Sequence, residues 1–439
     1  MTHGSNTPVF GMMLCGASLA SAIAAGARLE LSRSAAPPDL KITVTSPGVY
    51  RAVVWQQSGG GIMEFYNLAA DPGATVNLAK DTAGRGLFEI GWHGNEFKSP
   101  PGKDHCCTKH VLEAKPGKAK EGTCYDGCRD WPSLGHKELK AEGQLDVIEQ
   151  GPARVRVRAA SWFTWWSKYA DKDLPVEAIY TFYPSGRIVV QVHVRRLGDA
   201  PMHWSTEYGP HLMFPSHDKQ PDADAGFTWS TPKCKRYDLA PSGPEELLLA
   251  VSEKAKTSFM LAIPAEEERI FDRYMRHNGR SIGFDRSGWG SHGIIMEPGY
   301  DNTWAAMIQM GASGNGLAPE MKTAADALPL ALQYRNPPKL AVKGGVLVLD
   351  DPGDLNKDGF NESEGCYVLR GEGPMELTCP RESVLHQPAF KFVGCKGSLP
   401  EKVTLDGVDA AFVADSASGD VVIQLLATVR AGTKVVIGK

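Results

Sequence analysis

The chain has 439 residues, of which 42% are hydrophobic and 22% are charged, which are values typical of globular proteins and sufficient for two domains. Its 47 basic and 51 acidic residues leave a formal net charge of −4, which provides no electrostatic footprint for nucleic acid or for an anionic membrane surface. The 47 glycines and 30 prolines indicate many turns, and they favour short strands over long helices.

The first segment differs in composition from the rest of the chain. Residues 9–25 are apolar or small throughout, and Ala25-Gly26-Ala27 fits a small-residue cleavage site. Because the run is short and rich in Gly, Ala and Ser, we expect a signal peptide at residues 1–27 and not a membrane span. The mature protein would then be secreted or periplasmic, with no membrane span after signal removal. A disordered tail is the alternative, since no Lys or Arg precedes the apolar run.

The cysteine count is compatible with export. One of the nine cysteines, Cys15, lies in the signal segment, and eight remain. An even number in an exported chain permits a disulfide framework, with bridges expected within residues 106–128 and within residues 366–395. A metal site formed by the His and Cys residues of segment 105–128 is the alternative. Its paired cysteines are adjacent in sequence and match no zinc pattern, so disulfides are favoured.

From residue 39 the chain shows short β-type runs separated by turns. Residues 40–45, 50–55 and 59–68 predict consecutive antiparallel strands. The alternation Arg-Val-Arg-Val-Arg at residues 154–158 places every arginine on one face of a strand. Residues 176–183 and 187–194, joined by Pro-Ser-Gly, predict a β-hairpin. The best candidate for a helix is residues 265–275.

The composition shifts after Arg335-Asn336-Pro337-Pro338, where we place a domain boundary. Four further short strands follow, at residues 345–349, 365–370, 410–413 and 421–426. The sequence therefore predicts an all-β protein. A large antiparallel super-β-sandwich at residues 36–336 is followed by a small C-terminal β-sandwich at residues 340–439.

Two of these strand patterns resemble a known superfamily. The glycine-led strand ending in Phe65-Tyr66-Asn67-Leu68 and the hairpin around Tyr180-Thr181-Phe182-Tyr183-Pro184-Ser185-Gly186-Arg187-Ile188 are similar to the large sandwich of galactose-mutarotase-like proteins. That sandwich also forms the β-domain of many polysaccharide lyases and of some glycoside hydrolases. The resemblance covers roughly residues 39–333 and implies carbohydrate as the ligand class, but it transfers no catalytic residue. The helical toroid of the heparinase and chondroitinase types has no counterpart in this sequence.

The most specific local motif is residues 354–364. Oxygen-bearing side chains at alternate positions, with Gly359 after the third to permit a sharp turn, are what a calcium loop needs. The expected ligands are the side chains of Asp354, Asn356 and Asp358, the carbonyl of Phe360, and Glu362 or Glu364. An EF-hand would place its last Glu at residue 365, which is Gly365, so the loop resembles the EF-hand-like loops of extracellular modules. We expect a structural Ca²⁺ at the domain junction; an Asx-rich turn without metal is the alternative.

Candidate catalytic residues fall in three clusters, at residues 91–95, 203–211 and 276–300. Cleavage of a uronic-acid polysaccharide by β-elimination needs a neutraliser of the carboxylate, a base for the C5 proton and an acid for the departing oxygen. The candidates are Arg280 or Arg286 as neutraliser, His211 or His292 as base, and Tyr208 or Tyr300 as base or acid. The expected substrate-binding residues are His93, Trp204, Arg286 and Trp289.

These clusters predict a polysaccharide lyase whose partner is an acidic polysaccharide or oligosaccharide. The leading alternative is a noncatalytic carbohydrate-binding or surface-scaffold protein on the same fold, and a glycoside hydrolase or sugar epimerase is the third. Hydrolysis needs a pair of carboxylates, and Glu207, Asp285, Glu297 and Asp301 form no recognisable pair in the sequence. The chain also contains no Gly-x-Ser-x-Gly nucleophile motif.

Overall fold

The structure, a computed structural model, describes fifteen segments of the chain. They are residues 27–79, 85–93, 133–136, 143–165, 169–199, 202–204, 206–213, 228–229, 247–265, 272–275, 281–287, 294–313, 316–395, 398–416 and 419–438. Within these segments the protein consists of β-strands, turns and a single α-helix, which confirms the all-β prediction.

The first sheet has four antiparallel strands in chain order. They are β1 (Glu30–Ser34), β2 (Lys41–Ser46), β3 (Tyr50–Trp55) and β4 (Gly61–Asn67), with a 3₁₀ turn at Gln56–Ser58. The alternating sequence of β2 buries Ile42 and Val44 and leaves their neighbours partly exposed. The predicted run of consecutive antiparallel strands at the start of the domain is confirmed.

The second sheet has 13 strands, and every pair in it is antiparallel. Its strands are β5 (Arg85–His93), β6 (Ser133–His136), β7 (Gln144–Gln150), β8 (Val155–Trp165), β9 (Tyr169–Phe182), β10 (Arg187–Arg195), β12 (Thr206–Met213), β13 (Thr228–Trp229), β14 (Leu248–Ser252), β15 (Thr257–Ala262), β16 (Asp272–Met275), β17 (Ser281–Ser287) and β19 (Asp301–Ala312). The order across the sheet is β13-β14-β15-β19-β10-β9-β8-β6-β5-β12-β17-β16, with β7 paired to β8. The short strands β11 (Met202–Trp204) and β18 (Ile294–Met296) pair separately.

The predicted hairpin forms the middle of this sheet. β9 and β10 pair from Val176↔Val194 to Phe182↔Ile188, and Gly186 in the turn has a φ of 79°. Ile188, Val190 and Val192 of β10 belong to the core between the two sheets, whereas Val189 belongs to a second core on the opposite face. The large sheet is therefore covered on both faces at this end.

The helix α1 (Ala324–Arg335) packs in the second core, where Ala327, Leu330 and Tyr334 are buried. It begins with a capping box in which Thr323 accepts a hydrogen bond from the N–H of Asp326, and Asp326 accepts one from the N–H of Thr323. The helix predicted at residues 265–275 is wrong at its C-terminal end. Residues 272–275 form β16, because pairing with β17 supplies their backbone hydrogen bonds.

The C-terminal part consists of short strands in two main sheets. One has the order β20 (Ala341–Lys343), β24 (Met375–Thr378), β32 (Lys434–Gly438), β27 (Lys402–Leu405) and β28 (Val408–Asp409). The other has the order β21 (Val346–Leu347), β23 (Cys366–Arg370), β26 (Ala389–Val393), β30 (Val421–Leu425) and β29 (Phe412–Asp415), with β22 (Phe360–Asn361) on β23. β25 (Leu385–His386) and β31 (Thr428–Val429) form a third pair. The division near residue 336 stays a prediction, since the second core continues from the large sheet through α1 into these strands.

No disulfide joins the three cysteines in the described part of the chain, so the bridge expected within residues 366–395 is not formed. Cys366 lies fully buried in the second core, and the thiol of Cys379 donates to the carbonyl of Ser383 at 3.4 Å. The cysteines of segment 106–128 and Cys234 lie outside the described residues, as does the expected signal peptide. None of the described helices is long and apolar enough to cross a membrane.

Candidate functional site

A polar groove lies on the face of the large sheet that points away from the four-stranded sheet. Its cavity of about 310 Å³ is lined by Gln144, Arg158, Ala160, Ser161, Trp162, Pro175, Val176, Glu177, His193 and Arg195. Val157, Ala159 and Val192 point to the opposite face, where they are buried in the hydrophobic core between the two sheets. Since successive residues of a strand alternate between the two faces, a hydrophobic core on one side positions the polar residues on the other.

The strand register brings the polar residues of the groove into two adjacent rows. Glu177 of β9 lies directly opposite His193 of β10, and Arg195 of β10 lies directly opposite Asp301 of β19. The Cβ atoms of such opposed pairs are typically about 4.5–5.5 Å apart. Trp162 continues the second row, because it is paired with Pro175 across β8 and β9.

One ion pair and one hydrogen-bonded His–Asp pair cross the groove. The Arg158 guanidinium lies 2.6 Å from the Glu177 carboxylate, and His193 Nε2 lies 2.6 Å from Asp301 Oδ1. The side chains of Arg158, Glu177 and His193 are each about one-third exposed, at 35%, 31% and 34%. They are therefore within reach of a ligand and are also held in place by neighbouring groups.

This arrangement has the components of proton transfer next to a cationic binding site. With the proton on His193 Nε2, Asp301 accepts it in a hydrogen bond and Nδ1 is the proton acceptor. Arg195 lines the groove without an ion pair to any described residue, so its guanidinium is available for a carboxylate. The Trp162 indole provides an aromatic surface at the end of the same row.

Several residues of the predicted site lie on three neighbouring strands of the same sheet, away from this groove. In β5, β12 and β17, Thr206 pairs with His93, Glu207 with Arg286, and Tyr208 with Gly91. β12 is separated from β10 by β9, β8, β6 and β5, a distance of roughly 24 Å at the usual strand spacing. The part of the predicted cluster in β12, residues 206–211, and the polar groove are thus different regions of one sheet.

His211 of this cluster is buried, with 1% of its surface exposed. A β-bulge between Tyr208 and His211 shifts the register on both sides of β12, as the Gly209-Pro210 break suggests. The imidazole lies against Gly283 of β17, where a Cβ atom would come within 1.6 Å of His211 Cδ2. The close contact therefore depends on the missing side chain at Gly283.

Two further predicted residues lie outside these three strands. Tyr300 lies in a turn, where its hydroxyl accepts a hydrogen bond from Asn302 at 3.1 Å. Trp204 lies in β11, paired with Ile294 of β18. Arg280, His292 and Trp289 lie outside the described residues. Among the described residues, His93, Tyr208 and Arg286 thus lie on three adjacent strands, and the roles of all the predicted catalytic and binding candidates stay predictions.

The predicted calcium loop brings three of its carboxylates together. One oxygen from each of Asp354, Asp358 and Glu362 lies within 4.8 Å of the others. Burial and the neighbouring carboxylates of Asp358 and Asp354 raise the pKa of the Glu362 carboxyl to about 8, although the N–H of Leu355 opposes the shift.

The structure separates the two glutamates between which the sequence left the last ligand open. The carboxylate of Glu364 binds Arg154, Arg156 and Lys391 and lies outside the acidic cluster. Asn356 Oδ1 accepts the N–H of Asp358 at 3.0 Å. Phe360 is buried at the start of β22, opposite Tyr367.

A second cavity, of about 280 Å³, lies in the C-terminal part of the chain. It is lined mainly by apolar residues and glycines, including Phe392, Val421 and Ile423. Its described lining residues offer Glu372 and Cys395 but no imidazole or cation. The polar groove is therefore the better candidate for acid–base chemistry.

Sequence reasoning missed the residues of the groove, although part of the signal was present. In the predicted hairpin, Glu177 and His193 are two of the polar residues in two largely apolar strands. The Pro-Ser-Gly turn fixes the register of the hairpin, and that register places the two residues opposite each other. The position of Asp301 beside His193 could not be predicted from the sequence in this way. Asp301 lies 108 residues after His193, and only the pairing of β19 with β10 brings the two side chains together.

No protein-family model and no curated protein sequence matches the chain. Among solved structures, a galactose-mutarotase-like protein from Clostridium acetobutylicum is similar with a TM-score of 0.34 and 10% identity, over 65% of this chain and 99% of that one. Galactose 1-epimerase from Lactobacillus acidophilus is similar with a TM-score of 0.35 and 9% identity, over 64% and 98%.

A solved structure named as a polysaccharide lyase is similar over 93% of this chain and 46% of that one, with a TM-score of 0.26 and 9% identity. The resemblance stated from the sequence, to galactose-mutarotase-like β-sandwiches, is thus found among solved structures at low identity.

Proposed function

We propose that this protein is an exported carbohydrate-active protein whose groove binds an acidic saccharide and cleaves it by β-elimination. The observation that carries the proposal is the placement of His193, Arg195 and Glu177 beside Trp162 on one face of the large sheet. The similar solved structures are named as sugar epimerases and a polysaccharide lyase, which is the same ligand class, but the proposal rests on the groove.

In the proposed reaction, Arg195 binds the carboxylate of a uronate residue and thereby makes the C5 proton more acidic. The Nδ1 atom of His193 accepts this proton while Asp301 stabilises the imidazolium. The C4–C5 double bond forms as the C4–O bond breaks, and His193 returns the proton to the departing oxygen. The net change is one unsaturated uronate and one free hydroxyl, with no other reactant.

The other residues of the groove position the saccharide. Arg158 Nε and Nη2 both bind Glu177 Oε2, so Glu177 Oε1 can accept a hydrogen bond from a sugar hydroxyl and the remaining guanidinium N–H groups can donate one. Trp162 offers a ring on which the apolar face of a sugar can stack.

The test is incubation with a panel of uronate polymers while the ultraviolet absorbance of the unsaturated product is followed. We expect product with the wild-type protein and loss of turnover with His193→Gln. The matched control is His386→Gln, the same substitution in β25 of the C-terminal part, and it should retain activity. His211→Ala and Tyr208→Phe, in the residues predicted from sequence, should also retain turnover.

Other outcomes contradict the proposal in different ways. Saccharide binding without product would identify a noncatalytic carbohydrate-binding protein. New reducing ends without absorbance would identify a hydrolase. If His211→Ala loses turnover and His193→Gln keeps full activity, the active site would be assigned to the cluster at residues 203–211.

A further inference from the structure

The acidic loop at residues 354–362 is folded around its own carboxylates. Asp354 accepts hydrogen bonds from the N–H groups of Lys357 at 2.6 Å, of Asp358 at 3.2 Å and of Gly359 at 2.8 Å. Gly359 has a φ of 91°, and a Cβ atom there would come within 2.8 Å of Leu347. The backbone thus wraps the loop tightly and directs the side-chain oxygens of the loop to one point.

The fully buried side chain of Glu362 is the feature that points to a ligand. Its exposure is 0%; Oε2 accepts the N–H of Leu355 at 2.8 Å, whereas Oε1 has no hydrogen-bond partner. Among the residues that the structure describes, no Lys or Arg forms an ion pair with Glu362 or with Asp354. A buried carboxylate oxygen without a donor or a cation is costly, and buried charges are normally paired or bound to metal.

The distances fit one metal ion. Oxygens that bind the same Ca²⁺ at 2.3–2.6 Å are separated by at most about 5 Å, which is twice the bond length. Oxygens of Asp354, Asp358 and Glu362 lie within 4.8 Å of one another. The donors are all hard oxygens, with no His or Cys in the cluster, and this favours Ca²⁺ over a transition metal.

We propose that the loop is a calcium site, held by the carboxylates of Asp354, Asp358 and Glu362 and completed by Asn356, the carbonyl of Phe360 and water. Asp354, Asn356 and Asp358 occupy the first, third and fifth positions of an EF-hand-like loop. Glu362 closes the sphere at the ninth position, in place of the glutamate that an EF-hand has at its twelfth. This inference is independent of the proposed reaction.

The position of the loop gives the ion a structural role at the junction between the large sheet and the C-terminal strands. The Tyr334 hydroxyl of α1 donates to the carbonyl of Glu362 at 2.9 Å, and the Tyr183 hydroxyl of the large sheet donates to the carbonyl of Glu364 at 2.6 Å. Residues 362–364 thus connect the carboxylate cluster directly to both elements. Calcium bound to Glu362 should fix this segment and stabilise the junction.

The test uses the full chain after removal of metal with a chelator. Calorimetric titration with CaCl₂ should show binding at one site, and saturating Ca²⁺ should raise the melting temperature by about 5 °C. Asp358→Asn and Glu362→Gln should lose both effects. The matched control is Asp350→Asn, which removes an exposed carboxylate just before the loop and should keep both effects.

Circular dichroism of the metal-free variants shows whether they have lost only the calcium site or the whole fold. Asp358→Asn changes one partly buried oxygen, so this variant should retain the wild-type spectrum. The proposal is overturned if wild-type protein shows neither heat of binding nor a melting shift with CaCl₂. It is also overturned if folded Asp358→Asn and Glu362→Gln respond to Ca²⁺ like wild type. An equal response to MgCl₂ at the same concentration would reject the assignment to calcium.

Discussion

Arg154, immediately before β8 of the large sheet, forms a buried ion pair with Glu364 of the C-terminal part. Its Nη1 atom lies 2.5 Å from Glu364 Oε2, and the two side chains are only 1% and 9% exposed. The Glu149 carboxylate binds the other edge of the guanidinium, with both contacts at 2.7 Å. Lys391 Nζ lies 3.2 Å from Glu364 Oε1. One guanidinium thus joins two carboxylates that are 215 residues apart in sequence.

Replacement of Arg154 by methionine should destabilise the protein strongly. The substitution leaves the Glu149 carboxylate buried without its cation, and breaking a buried pair in this way typically costs about 3–5 kcal/mol. Denaturant unfolding followed by fluorescence measures the change. Arg28→Met removes the exposed pair with Glu30, and this control should leave the unfolding midpoint unchanged. Equal midpoints for the two variants would contradict a stabilising role for the network.

Glu364 should make stability depend on pH in the acid range. Burial alone would raise its pKa, but Arg154, Arg156 and Lys391 outweigh burial and lower the pKa from 4.5 to about 2. Between these values the unfolded chain binds more protons than the folded protein, so the free energy of unfolding falls as the pH falls. The contribution is complete above pH 4.5, is lost towards pH 2, and is at most on the order of 3 kcal/mol.

The free energies of unfolding of wild type and Glu364→Gln are compared from pH 6 to pH 2, in buffer that contains a metal chelator. This interval of roughly four pH units spans both pKa values. The wild type should be the more stable at neutral pH, and the two curves should approach each other in acid. A difference that does not change with pH would show that Glu364 contributes through its shape and hydrogen bonds and not through its charge.

Gly283→Ala should displace the buried His211 ring. The new Cβ atom would meet His211 Cδ2 at 1.6 Å, and overpacking of this kind typically costs about 1–3 kcal/mol. Gly373→Ala, at a position with no heavy atom within 4 Å, is the matched control and should be neutral. The double variant Gly283→Ala, His211→Ala should recover part of the loss, because the shortened side chain leaves room for the methyl group. A Gly283→Ala protein as stable as wild type would show that the ring moves aside freely.

The parts of the fold that follow from local pattern were predictable. The hairpin from Val176 to Val194 combines two β-type runs with a Pro-Ser-Gly turn, and the structure pairs the two strands as a hairpin. The acidic loop was identified from the spacing of Asp354, Asn356 and Asp358, which lie within five consecutive residues of the sequence. In both cases the residues that determine the geometry are close together in sequence.

The parts that depend on distant pairing were not predictable. The choice between Glu362 and Glu364 required the position of Arg154, which takes Glu364 out of the loop. The groove required β8, β10 and β19 to lie side by side, and only that order places Asp301 next to His193. A single sequence contains no signal for such contacts, because strand order in a large sheet is decided by long-range packing.

Arg195→Gln should weaken the binding of an acidic saccharide in the groove. Arg195 lines the groove beside His193, and a charge-assisted hydrogen bond to a carboxylate contributes about 1.5–3 kcal/mol, which corresponds to roughly a ten- to hundredfold change in the dissociation constant. A neutral saccharide of the same length should bind wild type and variant alike. Calorimetric titration of both ligands separates the effect of charge from a general loss of the groove. Arg33→Gln, in the exposed strand β1, is the control. Equal affinity of Arg195→Gln and wild type for the acidic ligand would exclude Arg195 as the carboxylate-binding group.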